Sequence, residues 1–343
     1  MGYGPSVFLP RSRSHGRLGA WNAVLAFLYA ILAGNPAAAE PPHHAVWFDG
    51  DFACGVGAST DVDDCWALWW AARSGVRIAG ISTVFGNAPL RDVQKTATRL
   101  VARLRQAGYH LPDPVTGAGK AAMRATPAAS ALLKALDQQR LTILALGPLT
   151  NIAAALRADP AAAKRIERII FVGGQANARR FRVGTLPAIH VHDLNVRSDA
   201  LAVRTILDNP APLVLMPFAA ARRIIFTSHT LNQLASRDPV AAWLAEASIP
   251  WLRFWAQTFR QTGFFPFDLL AVWYLLDDSA FECLPLAARV TQRRSRVVSS
   301  RSTLDVFSPT RRRPARVLYC ARPHPSWRAV TDAIQPVLPL PVP

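Results

Sequence analysis

Five aspartates, Asp49, Asp51, Asp61, Asp63 and Asp64, fall within sixteen residues of the stretch VWFDGDFACGVGASTDVDDCWALWWAA. Asp49 and Asp51 are two apart at the end of an apolar run, so on an extended strand end they project to one side. Asp63 and Asp64 open a stretch with helical spacing. A single acid there caps a helix and complements its dipole, which accounts for Asp61 or Asp63 alone. Capping does not account for Asp49, Asp51 and Asp64 together. Carboxylates meeting in one concave turn repel unless a cation neutralises them, and an all-oxygen donor set selects Ca²⁺ or Mg²⁺ over zinc.

The surrounding pattern places these acids. From residue 45 the chain alternates short apolar runs with alanine- and leucine-rich helical stretches. Strands are predicted at AVWFD, RIAGISTVF, LTILALG, IERIIFVGG and PLVLMPF. Helices are predicted at DDCWALWWAARSG, PLRDVQKTATRLVARLRQAG, PLTNIAAALRAD and SDALAVRTILDN, the first two closed by Gly75 and Gly108. This alternation predicts an α/β fold, a single domain with a mostly parallel central sheet flanked by helices. Ligands in such sheets sit outside the carboxyl ends of the strands. Those ends carry Asp49 and Asp51, then Gly86 and Asn87, then GPLTN, then GGQAN.

The chain has 343 residues, 51% of them apolar and 18% charged, which excludes a disordered polymer and allows one large core. Its first forty residues follow a different logic. Arg11, Arg13 and Arg17 precede the apolar run LGAWNAVLAFLYAILAG, and NPAAAE follows it. This is the layout of a signal peptide over residues 1–39, cleaved after Ala39, with an uncleaved membrane anchor as the alternative. Residues 1–39 hold three arginines and no acid, so removing them lowers the net charge from +17 to +14. The basic surplus therefore belongs to the folded part. Its densest runs, TQRRSR and TRRRPARV, carry no nucleic-acid motif and read as a solvated face, so no nucleic-acid partner is expected. Cys54, Cys65, Cys283 and Cys320 have no metal spacing. They are free thiols or, after export, one or two disulfides of open connectivity.

The ordered motifs resemble the inosine-uridine-type nucleoside hydrolases. DGD at 49–51 and DD at 63–64 resemble that family's DTDxGxDD opening, with eleven residues in place of three between its second and third aspartates. TVFGNAPL, LALGPLTNIAAAL and IIFVGG follow in the family's order. DLNVRSDALAV keeps Asn195 and has Asp193 where the family has Glu. FDLLAVWYLLDD keeps Asp268 and has Phe267 where the family has His. The resemblance spans about 45 to 335.

It implies that Asp51, Asp64, Asp268 and the backbone carbonyl of Thr150 hold a Ca²⁺, and that Asp51 is the general base toward water. It further implies that Asp63, Asn87, Asp193 and Asn195 bind ribose hydroxyls of a nucleoside substrate, and that the chain is a homo-oligomer, a dimer or tetramer. With Phe267 in the histidine position, the acid for the leaving base falls to His192 or His190 beside the sugar-binding segment. The activity implied is hydrolysis of ribonucleosides to ribose and base, outside the cytoplasm. Two other readings are an exported, catalytically impaired nucleoside-binding protein and a haloacid-dehalogenase-type phosphatase. VWFDGDF resembles the D-x-D-G opening of that phosphatase family, which would also need a later lysine and an acidic pair.

Overall fold

The computed structural model describes residues 45–176, 181–182, 190–293 and 301–323. The leader over residues 1–39 lies outside them. Strands β1 (Ala45–Gly50), β2 (Ile78–Thr83), β3 (Pro114–Val115), β4 (Leu141–Ala145), β5 (Ile166–Val172) and β9 (Leu213–Met216) are parallel, with β14 (Val317–Pro323) beside β9. Their order is β3-β2-β1-β4-β5-β9-β14, continued by β12 (Phe281–Arg293), β13 (Arg301–Phe307) and β6 (Gln175–Ala176). Four short strands form two small antiparallel pairs: β7 (Phe181–Arg182) with β8 (His190–Val191), and β10 (Phe226–Thr227) with β11 (Gly263–Phe264).

Strand periodicity explains why the central strands read as continuous apolar runs. In β1, Val46 and Phe48 pack into the core on one face of the sheet, and Ala45 and Trp47 into the core on the other. Helices α1 (Asp63–Arg73), α2 (Leu90–Gln106), α8 (Pro239–Phe259) and α9 (Leu269–Leu276) feed the first core. Helices α3 (Pro127–Gln138), α4 (Thr150–Ala158) and α6 (Ala200–Leu207) feed the second, and α5 (Leu194–Ser198) and α7 (Ser228–Ala235) are shorter. Gly75 and Gly108 follow α1 and α2 at φ +73° and +92°, the left-handed exit that glycine permits.

The predicted mostly parallel sheet flanked by helices is present. Helix α3 and the antiparallel strands β12 to β14 go beyond the sequence reading. The basic runs TQRRSR and TRRRPARV overlap the end of β12 and the start of β14, so the region presents itself in sequence as basic patches. The cysteines pair as Cys54–Cys65 and Cys283–Cys320, and none is free among the described residues. Among the described residues no helix is long and apolar enough to cross a membrane.

Candidate active site

Strand β1 delivers Asp51 to the carboxyl edge of the sheet, and the chain then loops through 52–62 before α1 begins at Asp63. The Cys54–Cys65 disulfide fastens that loop to the first turn of the helix. The two ends also meet directly, because the Asp51 backbone N–H donates to Asp64 Oδ1 at 2.9 Å. A third segment arrives at the start of α9, where the Asp268 N–H donates to Asp63 Oδ2 at 3.1 Å. One carboxylate oxygen each from Asp63, Asp64 and Asp268 lies within 4.8 Å of the others. Glycines make this approach possible. A Cβ at Gly50 would strike Asp64 and one at Gly86 would strike Asp51, so these glycines let backbone lie against a carboxylate, while a Cβ at Gly147 would strike Val84 and crowd Asp51.

Burial dominates the electrostatics. Asp51, Asp63, Asp64 and Asp268 are each 4% exposed or less. Burial raises the carboxyl of Asp64 to about 7, with the charge of Asp63 adding to it. Asp51 and Asp268 are pushed well above the ordinary carboxylate range, first by burial and then by the facing charges of Asp64 and Asp63 respectively. Asp61 is raised in the same way, by burial and then by Asp63. No lysine or arginine is among the described residues lining the cavity that these acids share. The protein gathers negative charge here and supplies none of the opposite sign.

Residues 46–322 match the inosine-uridine preferring nucleoside hydrolase family. The chain belongs to this family. It is 28% identical to an uncharacterized Schizosaccharomyces pombe protein, C17G8.02, over 54% of this chain and 63% of that one. It is 25% identical to a probable uridine nucleosidase 2 of Oryza sativa subsp. japonica, over 50% and 58%. These matches thus span about three fifths of those relatives' lengths. Among solved structures, the plant nucleoside hydrolase PpNRh1 superposes with a TM-score of 0.70 at 18% identity, covering 87% of this chain and all of that one. The purine-preferring ribonucleoside hydrolase from Gardnerella vaginalis superposes at 0.66 with 16% identity, over 85% and 97%.

Within the nucleoside hydrolase fold, most of the residues singled out in the sequence come together. Asp51, Asp63, Asp64, Asn87, His192, Asn195 and Asp268 line one cavity. Thr150 does not. It opens α4, so its carbonyl points along the helix, and its hydroxyl donates to Asp199 Oδ2 at 2.7 Å. Leu146, just after β4, lines the cavity instead, and its backbone carbonyl accepts from the Asn195 amide at 2.7 Å. Asp193 also stands aside. Its oxygens accept the N–H groups of Val196 at 3.0 Å and Gly174 at 2.7 Å, the work of a helix N-cap. Burial raises its carboxyl to about 6. The side chain of His190 lies outside the described residues.

Asn87 lines the cavity with its side chain already engaged. Its Oδ1 accepts the Asp61 N–H at 2.9 Å and its amide donates to the Asp61 carbonyl at 3.2 Å. Its own N–H donates to Asp51 Oδ2 at 2.7 Å. The enlarged loop is thus clamped so that Ser59 and Asp61 join the cavity wall, a place that capping does not predict for Asp61. Asp49 turns the other way. It is fully buried, accepts from Ser82 at 2.5 Å and Asn151 at 2.8 Å, and is raised by burial to about 6. With Asp49 behind the cavity and no lysine in it among the described residues, the phosphatase reading has no nucleophile or charge partner.

Much of the remaining wall is aromatic. Phe267 packs on Phe218 at a ring-centroid distance of 4.7 Å and on Trp255 at 6.3 Å, and Trp251 stacks on Phe254 at 5.1 Å. All five, with Phe259, line the cavity. The buried indole N–H groups of Trp251 and Trp255 have no acceptor among the described residues, an unmet demand of the kind that a bound acceptor satisfies. The aromatic spacing of WLRFWAQTF reads from sequence as plain core, and only the fold reveals which rings line the cavity.

Proposed function

We propose that the chain hydrolyses the N-glycosidic bond of ribonucleosides, releasing ribose and the free base. The observation that carries this reading is the convergence of four buried carboxylates from three chain segments in one cavity with an aromatic lining, in a member of this family. The donor set fits a hard divalent cation, because it is all oxygen, buried and without a cationic side chain among the described lining residues. Asp51, Asp64 and Asp268 would hold Ca²⁺, with Asp63 in contact and the Leu146 carbonyl in place of Thr150. When bound, such an ion orients sugar hydroxyls and lowers the pKa of water.

The side chains divide the remaining work. Asp51 takes the proton of the attacking water, and the Asn87 N–H fixes its Oδ2. Asp63 and Asn195 accept from ribose hydroxyls at the acidic end. As the C1′–N bond breaks, positive charge develops on the ribosyl ring, and the surrounding carboxylates stabilise it. His192, at the cavity wall, gives a proton to a neutral leaving base. Two paired disulfides suit an oxidising compartment and support export after cleavage near Ala39. The homo-oligomer implied by the resemblance is proposed with it and is measured by sizing the mature protein.

The test is ribose release from a panel of ribonucleosides with Ca²⁺ and with a chelator, alongside calorimetric binding. Calcium-dependent release is expected. Tight binding with no release would replace this reading with the impaired binding protein, the alternative that Phe267 motivates. N-terminal sequencing of the mature protein is expected to start near Glu40, and a start at Met1 in a membrane fraction would favour the anchor.

A further inference from the structure

We infer that the cavity selects nucleosides whose base is already a cation, of the N-ribosylpyridinium class, an inference that rests on the hydrolase reading above. A neutral purine or pyrimidine leaves as an anion unless an acid protonates it, and that step is worth roughly 10²–10⁴ in rate. Beside Asp268 the chain has Phe267, buried among Phe218, Phe265 and Trp255. An aromatic ring cannot donate a proton there, so a neutral base depends on His192 alone, whereas a cationic base needs no acid. The aromatic ring presents a negative π face instead, and walls of several such faces are the usual receptor for a cationic ring.

The charge of the cavity points the same way. The eleven-residue loop brings in Asp61, a carboxylate beyond those that converge at Asp63, Asp64 and Asp268. Asn87 holds it in place through both edges of its backbone. Five aspartates and no lysine or arginine line the cavity among the described residues. A neutral substrate draws on that excess only as charge develops on its ribosyl ring, whereas a cationic one is attracted along the whole wall from the moment it approaches.

The chemistry balances without an acid. In an N-ribosylpyridinium the C1′–N bond breaks with its electron pair returning to the ring nitrogen, so the base departs as neutral pyridine. The water oxygen bonds to C1′, and the water proton passes to Asp51 and then to solvent. The positive charge moves from ring to ribosyl within one negatively lined space.

The experiment uses the mature chain with saturating Ca²⁺. Nicotinamide riboside is the cationic probe, and inosine and uridine are the neutral ones. The expected result is kcat/KM for nicotinamide riboside at least roughly 10²-fold above either neutral nucleoside. The 1-methylnicotinamide cation should also inhibit at roughly tenfold lower concentration than 3-methylbenzamide, its neutral isostere. Asp61→Asn should shrink that cation-to-neutral ratio toward one. Inosine or uridine cleaved as well as nicotinamide riboside would overturn the inference and leave the hydrolase reading standing, and so would equal inhibition by the two small molecules. Ribose release from none of the three nucleosides would remove both.

Discussion

Asp199 and Asp268 are almost equally inaccessible, 3% and 4% exposed, yet their surroundings are opposite. Asp199 is saturated with donors. It accepts the Thr150 hydroxyl at 2.7 Å, the Ala122 N–H at 2.9 Å and the Ala202 N–H at 2.9 Å. Asp238 is held likewise by Ala241, Trp69 and Arg73. Asp268 faces Asp63, Asp64, Asp51 and Asp61, and each of their charges works against its own. A carboxylate that serves the fold is surrounded by N–H and O–H groups, and one that serves a ligand is left among its own kind until the ligand arrives.

The sharpest way to break this comparison is to delete a member of each set. Asp51→Asn and Asp268→Ala are expected to lower ribose release by at least the roughly 10²–10⁴ of a general base. Asp268→Ala should also lose Ca²⁺ affinity, while the cation-free thermal midpoint stays level or rises because a repelling charge has gone. Unchanged calcium affinity in Asp268→Ala would remove it from the ligand set. Asp199→Ala is expected to do the reverse. It strands a hydroxyl and two backbone N–H groups, and urea titration should record a loss of about 2–4 kcal/mol, with activity per folded molecule far less affected.

Much of this division is legible in the sequence, and the illegible part has a physical cause. The alternation of strands and helices locates the carboxyl edge of the sheet, and spacing along the chain puts Asp51, Asp63 and Asp64 there. Spacing does not tell which way a lone pair points. Thr150 and Leu146 are four residues apart across the GPLTN turn, and only the turn's geometry decides that Leu146, and not Thr150, lines the cavity. Asp193 is indistinguishable from Asp63 as a residue type at a helix start until its donors are seen. The pairing of four cysteines and the residues of α8 that line the cavity are likewise properties of the closed fold.

A change of pH sharpens the comparison next. Burial raises Asp64 to about 7 and Asp49 to about 6 from the ordinary 3.8. A carboxyl whose pKa is raised by folding favours the protonated folded state, so its contribution is complete below about pH 4 and is lost as pH climbs through about 6–7. The cation-free protein is therefore expected to melt at lower temperature at pH 8 than at pH 5. Ca²⁺ binds the ionised form, so its stabilising shift should grow over the same interval, at about 2–4 °C for each kcal/mol in a large domain. Calorimetric scans that are flat with pH in both states would mean the acids are neutralised by something else.

The smallest effect discriminates most finely, because it concerns a residue with two candidate roles. The family resemblance implies that Asn87 binds a ribose hydroxyl, whereas in the structure its side chain is spent on the backbone of Asp61. Two neutral hydrogen bonds of about 1 kcal/mol each hold that part of the loop. Asn87→Ala should therefore raise KM by roughly three- to thirty-fold with a smaller change in kcat, as the wall bearing Asp61 loosens. If Asn87 acts through Asp61, adding Asn87→Ala to Asp61→Asn should cost little more than Asp61→Asn alone, and the double-mutant cycle will show strong coupling. Additive losses would mean that Asn87 touches the sugar itself. The loop insertion would then have enlarged the site without displacing one of its original contacts.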